Sequence, residues 1–173
     1  MEKARKSRSE ARTTRDGNGP IMFKVTRGGK RTNYKVNAGY GYLIPAFRKA
    51  GNLAEVAEVV ETGISSSEIQ PIIEYLEMKI PDIAKAAAVS TSTVSRWEAD
   101  SSIGAPGSNQ FFRIDEIIKK GVDLFGGLDE LKTWLTLPNT ALGNVAPVML
   151  MTSLIGIELV DEAIDALHYG NVM

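Results

Sequence analysis

The stretch of this chain whose residue types and spacing carry the clearest chemistry is residues 80–97. Ala84 is small enough for two helices to pack closely, and Val94 and Trp97, three positions apart, would hold the second helix against a core. Ser90 is well suited to cap that second helix. These features predict a helix-turn-helix, in which the second helix enters the major groove of DNA.

The predicted second helix would present short polar side chains and one cation to DNA. Ala88 stands where such a turn usually has glycine, and a left-handed conformation of alanine costs about 1 kcal/mol. The pattern also fits an ordinary helical hairpin with a serine cap, and the sequence leaves that alternative open. The candidate DNA-binding residues are Ser90, Thr91, Ser92, Ser95 and Arg96.

Charge is distributed unevenly along the 173 residues, although the net charge is only −1. Residues 1–35 hold 11 Lys+Arg against 3 Asp+Glu, whereas residues 36–173 hold 9 against 18. The helix-turn-helix region, residues 68–103, has 3 basic and 6 acidic side chains. Non-specific DNA affinity comes from neutralised phosphates, so the basic N-terminal segment is expected to supply it. The alternative is that this segment only improves solubility.

Composition excludes most catalytic and metal-binding schemes. The chain has no cysteine, which excludes disulfides, thiolate zinc sites and cysteine nucleophiles. His168 is the only histidine and is expected at the C-terminal end of a helix, where the dipole favours it. The longest apolar run, residues 145–157, contains Pro147 and Gly156 and is too short to span a bilayer. We therefore expect a cytoplasmic protein with no enzymatic activity, cofactor, metal or membrane partner.

The N-terminal region is expected to have three parts. Residues 1–20 are polar and charged, which predicts a disordered basic arm. Residues 21–36 predict a β-hairpin that turns at Gly28-Gly29. Residues 37–44 are interpreted as a linker. The pairing predicted in the hairpin is Ile21 with Val36, Phe23 with Tyr34 and Arg27 with Lys30.

From residue 45 to the end, apolar residues recur with helical spacing. Gly63 would end the first long helix, and Ser67 with Gln70 would form a capping box for the next. Residues 101–110 predict a loop and a domain boundary. The residues expected to line the later helices are Ile114, Ile117, Ile118 and Phe125, then Leu128, Leu131, Trp134 and Leu135, then Ile157, Val160, Ile164 and Leu167.

The C-terminal region also contains features between its helices. Pro147 would open a helix that Gly156 ends. The preceding loop, residues 138–146, is rich in turn residues, and its apolar side chains could plug the core or meet a partner. The acidic residues Asp161, Glu162 and Asp165 are expected on the solvated face of the last helix, with contact to a basic partner surface as the alternative.

A series of residues in the second half resembles the C-terminal toxin-binding domain of the Xre/MbcA/ParS-type antitoxins. Residues 134–143 are the most recognisable piece, and the resemblance runs from about Val60 to the end, including the helix-turn-helix. Residues 1–45 are not covered. The residues that carry it are Phe125-Gly126, Trp134-Leu135, Pro138-Asn139, Ala141-Leu142-Gly143, Pro147, Thr152, Gly156, Val160 and Tyr169-Gly170.

The resemblance implies a partner and a mechanism. Such antitoxins are encoded beside a toxin with a RES domain, which resembles ADP-ribosyltransferases and consumes NAD or modifies a protein with it. The antitoxin covers the toxin's active site, with its C-terminus near the entrance, and many members dimerise and repress their own operon. The implied toxin-binding residues are Pro138, Asn139, Leu142, Tyr169, Gly170, Asn171, Val172 and Met173.

We therefore predict a mainly α-helical chain in four parts: a disordered basic arm (1–20), a β-hairpin with linker (21–44), an Xre-like helix-turn-helix domain (45–108) and a small helical toxin-binding domain (109–173). The predicted function is neutralisation of a RES-domain toxin together with repression of its own operon as a homodimer on operator DNA. The alternative is a free-standing dimeric helix-turn-helix repressor.

Overall fold

The computed structural model describes residues 21–27, 30–36 and 39–170, which are mainly helical as predicted. The elements run in the order β1 (Ile21–Arg27), β2 (Lys30–Val36), α1 (Pro45–Lys49), α2 (Leu53–Thr62), α3 (Gln70–Leu76), α4 (Ile80–Ala87), α5 (Thr91–Val94), α6 (Gly104–Phe125), α7 (Leu128–Thr136), a short 3-10 helix (Thr140–Leu142), α8 (Pro147–Leu150) and α9 (Leu154–His168).

The two strands β1 and β2 pair antiparallel, with Ile21 opposite Val36 and Arg27 opposite Lys30. Three predicted features lie outside the described residues, namely the arm (1–20), the turn at Gly28-Gly29 and the C-terminal residues Asn171, Val172 and Met173.

Helix α6 is the axis of the described helices. Its 22 residues span about 33 Å at 1.5 Å per residue, and it contacts α2, α4, α7 and α9. Phe111, Ile114 and Ile118 on this helix are completely buried. The elements of the predicted helix-turn-helix and those of the C-terminal region therefore share one helix as their core.

The predicted loop over residues 101–110 is wrong from Gly104 onward, because α6 begins there. Pro106 lies in the first turn, where a backbone N–H has no helical acceptor to lose. Gly107 allows close packing, since a Cβ there would lie 3.1 Å from the Cα of Ala87 in α4. Pro106 and Gly107, which indicate a loop in the sequence, thus lie at the start of α6, and Gly107 allows its contact with α4. The domain boundary expected here stays a prediction.

The segment 39–44, predicted to be part of a linker, is instead packed into the core. The buried carboxylate of Asp115 on α6 accepts the backbone N–H groups of residues 42–44, at 2.7, 2.7 and 3.2 Å. The side chains of Tyr42, Leu43 and Ile44 are buried as well. The linker prediction failed because a run of tyrosines and glycines has no periodicity, although its backbone groups are bound by a single carboxylate.

A second residue of α6 holds the start of the same segment. The ammonium group of Lys119 donates to the backbone carbonyl of Gly39 at 2.8 Å, and the N–H of Gly41 donates to the carbonyl of Phe47 at 3.1 Å. A Cβ at Gly39 would overlap the carbonyl oxygen of Arg48. The chain therefore folds back tightly here before it enters α1.

Helix boundaries in the first half follow the predictions in part. Gly63 ends α2 with φ of 83°, as predicted. The capping box of Ser67 and Gln70 is wrong, because α3 begins at Gln70 and has no side-chain cap. The N–H of Ser67 instead donates to the carbonyl of Ala99 at 3.1 Å. This serine therefore ties the start of α3 to the segment that follows α5.

Asp115 titrates in an unusual range because of its position. Burial raises its pKa to about 6, while the three backbone N–H groups and the positive charge of Arg48 act in the opposite direction. The folded chain therefore holds this proton more tightly than the unfolded chain does. As pH rises from the ordinary pKa of 3.8 to about 6, the contribution of Asp115 to the free energy of unfolding falls.

We predict that Asp115→Ala lowers the free energy of unfolding by about 3 kcal/mol or more, because three buried N–H groups lose their acceptor. Asp115→Asn keeps one carbonyl oxygen and is expected to cost less. Because asparagine does not titrate, the stability of the wild type relative to Asp115→Asn should decline between pH 4 and pH 6, approximately the interval between the two pKa values. Urea unfolding at a series of pH values measures both effects.

The control for this experiment is Asp123→Asn, an exposed carboxylate on the same helix, which should change stability by less than about 0.5 kcal/mol. Equal losses for Asp115→Ala and Asp123→Asn would contradict the role of Asp115.

Candidate partner-binding surfaces

The segment from α4 to α5 forms two short helices joined by a tight turn. Ala88 has left-handed dihedral angles (φ 56°, ψ 40°) at the end of α4, and Ser90 caps α5 by accepting the N–H of Thr93 at 3.1 Å. Val94 and Trp97 are half-buried against the core. The predicted serine cap is confirmed, and the two inward-facing positions are those that the sequence indicated.

Helix α5 is shorter than the sequence suggested. Its α-helical part ends at Val94, and the chain continues as a turn in which Arg96 N–H donates to Thr93 and Trp97 N–H donates to Val94, both at 3.1 Å. Only one turn of regular helix therefore carries the predicted contacts. The residues beyond it are held by bonds between positions three apart, which tighten the coil.

The five candidate DNA-binding residues are all exposed, on α5 and the residues that flank it. Besides the cap at Ser90, two of them bond to the local backbone. Ser95 Oγ donates to the carbonyl of Thr91 at 3.0 Å, and Arg96 Nε donates to the carbonyl of Ser92 at 3.1 Å. The bond from Nε orients the guanidinium while leaving its two terminal nitrogens as donors. The surface is thus polar, with one cation fixed at its edge.

The loop after α7 is closed by hydrogen bonds to a single asparagine. The backbone N–H of Asn139 donates to the carbonyl of Val145 at 3.1 Å, and its backbone carbonyl accepts the N–H of Asn144 at 2.8 Å. Its side-chain oxygen accepts the N–H of Ala141 at 2.9 Å. Asn139 therefore shapes the loop as an N-cap of the 3-10 helix. Because the side-chain oxygen of Asn139 already accepts a hydrogen bond, its side-chain amide nitrogen is left to donate to a partner.

The sequence left two roles open for the apolar side chains of this loop, packing into the core or contact with a partner. The structure has side chains in positions suited to each. Leu142 is half-buried and packs against the core, whereas Leu137 and Val145 are 57% and 38% exposed. Pro138 is exposed beside them. The loop therefore plugs the core at Leu142 and presents apolar surface on either side of it.

Gly156 does not end the helix that begins at Pro147, so that prediction is wrong. Helix α8 ends at Leu150, and Gly156 lies in the first turn of α9, where Ser153 Oγ accepts its N–H at 3.1 Å. A Cβ at Gly156 would overlap the carbonyl oxygen of Leu150. The glycine is therefore required by the close corner between two helices rather than by the end of one.

Two of the three acidic residues expected in solvent are bound within the chain. Lys120 on α6 lies 2.8 Å from Asp161 and 2.6 Å from Asp165 on α9. Burial lowers the pKa of Lys120, but the two carboxylates raise it, and the net direction is upward. Only Glu162 of the three is exposed as predicted. The interpretation of Asp161 and Asp165 as a purely solvated face is therefore wrong, since they join α9 to α6.

Exposed apolar side chains are concentrated in the C-terminal region. Among the described residues, eight of the ten large hydrophobic side chains exposed to solvent lie between 137 and 169. Single exposed apolar side chains are normal on a monomer surface, but here most of them share one region of the chain. The helical spacing of the buried residues Ile157, Val160 and Ile164 gives no sign of the exposed apolar side chains elsewhere on α9. The eight are Leu137, Val145, Met149, Leu154, Ile155, Leu159, Leu167 and Tyr169.

The last described residues leave the helix with exposed side chains. Leu167, predicted to line the core, is 48% exposed, because the core ends near Ile164. His168 closes α9, and its ring contacts that of Tyr169 edge-on at 5.1 Å. Tyr169 and Gly170 are exposed. The described chain therefore ends in exposed side chains, and those of Leu167 and Tyr169 are large and apolar.

Within 39–170 no three His, Asp or Glu side chains are grouped so that they could hold a metal ion. In the same part of the chain, every helix is too short or too polar to cross a membrane.

One protein-family model matches the C-terminal region. Residues 120–170 match the model of the antitoxin Xre/MbcA/ParS C-terminal toxin-binding domain. No curated protein matches the chain. The matched residues begin within α6 and include the closed loop, α8, α9 and the eight exposed apolar side chains. The family resemblance is therefore confirmed for residues 120–170, whereas the part from Val60 to residue 119, with the predicted helix-turn-helix, lies outside the match.

We predict that Ala88→Gly raises the free energy of unfolding by about 1 kcal/mol, because glycine adopts the left-handed conformation without a Cβ penalty. The matched control is Ala57→Gly, an exposed position inside α2, where the same substitution should cost about 1 kcal/mol. Thermal unfolding of the two variants measures the difference. A loss of stability in both would show that the turn does not strain Ala88.

Proposed function

We propose that this chain is the antitoxin of a type II toxin–antitoxin pair and neutralises a RES-domain toxin, because residues 120–170 match the family model of an antitoxin toxin-binding domain of the Xre/MbcA/ParS type. The observation that carries the proposal is the coincidence of that domain with the exposed apolar side chains of residues 137–169. An apolar surface of this kind indicates a protein partner. Neutralisation needs binding alone and no catalysis by the antitoxin.

The proposed mechanism is steric. The C-terminal domain grips the toxin, and the last residues of the antitoxin cover the toxin's NAD pocket. The exposure of Tyr169 and Gly170 at the end of α9 supports this, since the final residues continue from there. In the closed loop, Pro138 would contact the toxin, and Leu142 would hold the loop against the core. Asn139 would shape the loop and offer its side-chain amide nitrogen to the toxin.

The same chain is proposed to repress its own operon through the surface of α5. This is supported by the cap at Ser90, by the inward packing of Val94 and Trp97 and by the exposed cation of Arg96. The acidic balance of residues 68–103 opposes DNA binding. A homodimer that brings two basic N-terminal segments to the phosphates would offset this.

A free-standing dimeric helix-turn-helix repressor is the second candidate. It is favoured by the position of the α4–α5 surface, none of which falls within the family match. In that case the C-terminal region would serve only to dimerise. The two candidates differ in what they require of a toxin, because only an antitoxin protects cells against one.

Co-expression tests the antitoxin proposal. We expect cells that express the RES-domain protein encoded beside this chain to stop growing, and to grow again when the full chain is present. A variant that lacks Asn171–Met173 should bind the toxin but protect less well, because the pocket is left open. Growth arrest that persists with the full chain would refute the antitoxin function. Full protection by the shortened chain would refute only the covering mechanism.

A second experiment tests DNA binding. Removing residues 1–35 leaves the anchored segment 39–44 in place, so we expect a folded protein whose affinity for its own upstream DNA is weaker and depends less on salt. Arg96→Ala should cost about 1–3 kcal/mol of binding free energy if Arg96 contacts a base. Electrophoretic mobility shifts at several salt concentrations measure both. An unchanged salt dependence in the truncated chain would contradict the role of the basic segment.

A further inference from the structure

The outward face of α9 is apolar in a way that the fold does not require. Its inward face, with Ile157, Val160 and Ile164, is buried and already fixes the helix to α6. At 100° per residue, Ile155 and Leu159 lie on nearly the opposite face, and they are 73% and 44% exposed. A surface helix normally has polar side chains there.

This face, which we call the outer stripe, is defined by Ile155, Leu159, Ala166 and Tyr169. Positions 155 and 159 are neighbours on a helix, and the intervals 159–166 and 166–169 continue the same row. Tyr169 extends the row past the last helical residue. The stripe thus runs the length of α9 and leads directly into the C-terminal residues.

Charge on the outer stripe is of one sign. Glu158 borders it and Glu162 lies within it, and both are exposed. The other two acidic residues of α9, Asp161 and Asp165, are bound to Lys120. Helix α9 contains no lysine or arginine. A complementary partner would therefore have an apolar groove with basic side chains at its rim.

The same charges argue against a second copy of this chain as the occupant. A symmetric pair of α9 helices uses the same surface on both copies. With Glu162 near the middle of the stripe, a two-fold axis there would place the two Glu162 carboxylates against each other. Like charges in an interface reduce affinity, so the outer stripe fits a basic partner better than itself.

We propose that the outer stripe is the principal affinity surface for the toxin and that it is seated in an apolar groove of the toxin with basic side chains at its rim. This rests on the proposed antitoxin function and deepens it. Substitutions in the stripe are expected to weaken the complex.

The apolar part of the proposal is tested by Leu159→Glu and Ile155→Glu in the full chain. We expect the dissociation constant for the RES-domain protein encoded beside it, measured by calorimetry, to rise about 30-fold or more for each. The control is Leu53→Glu, a 64% exposed leucine on α2 outside the family match, which should change it less than about 2-fold. Ile155→Ala removes only exposed surface from the helix and should leave the fold intact. A weaker complex with this variant would therefore show that misfolding is not the cause.

The charged part is tested by the double substitution Glu158→Lys with Glu162→Lys. We expect slower association with the toxin, by about 10-fold at low salt, and a smaller effect at high salt. The control is Glu58→Lys with Glu61→Lys, two exposed glutamates on α2. Equal effects of the two pairs would show that only net charge matters and would overturn the basic rim.

The outcomes separate this inference from the function on which it rests. If the wild-type chain forms no complex with the toxin, the proposed function and this inference both fail. If the wild type binds and the folded stripe variants bind equally well, the inference alone fails. If the stripe variants change the oligomeric state of the free chain but leave toxin affinity unchanged, the occupant is a second copy and the proposal is overturned.

Discussion

The carboxylate of Asp115 is the constraint on which the N-terminal end of the described helices depends. It binds three consecutive backbone N–H groups of residues 42–44, and a buried N–H without an acceptor is costly. One side chain thereby fixes the path of the chain into α1 and holds residues 42–44 against α6. Burial of this carboxylate disfavours its ionised form and so raises its pKa.

Helix α6, which contains Asp115, also contacts helices on both sides of it in the sequence, α2 and α4 before it and α7 and α9 after it. At its start, Gly107 admits α4 and so fixes the position of the α4–α5 surface. Toward its end, Lys120 binds two carboxylates of α9. The polar surface proposed for DNA and the apolar surface proposed for the toxin are therefore built on one helix.

The sequence was informative where a single residue type decides local structure. Ser90 as a cap, Gly63 as a helix end and Pro147 as a helix start could be predicted because each acts on its own backbone. Predictions failed where the partner is distant in the sequence. Nothing local in residues 39–44 reveals Asp115, and nothing local at Gly107 or Gly156 reveals the backbone that approaches them. The outer stripe was missed for a different reason, since Ile155 and Leu159 do not belong to the buried face of α9 that helical spacing predicts.

The central claim is that the surface formed by residues 137–170 holds a protein toxin. Hydrogen exchange of the full chain, alone and with the proposed RES-domain toxin, tests this. Binding is expected to slow exchange in the closed loop and in α9, and to leave α2 and the α4–α5 surface unchanged. Protection that appears on α2 or on α5, with none on α9, would contradict it.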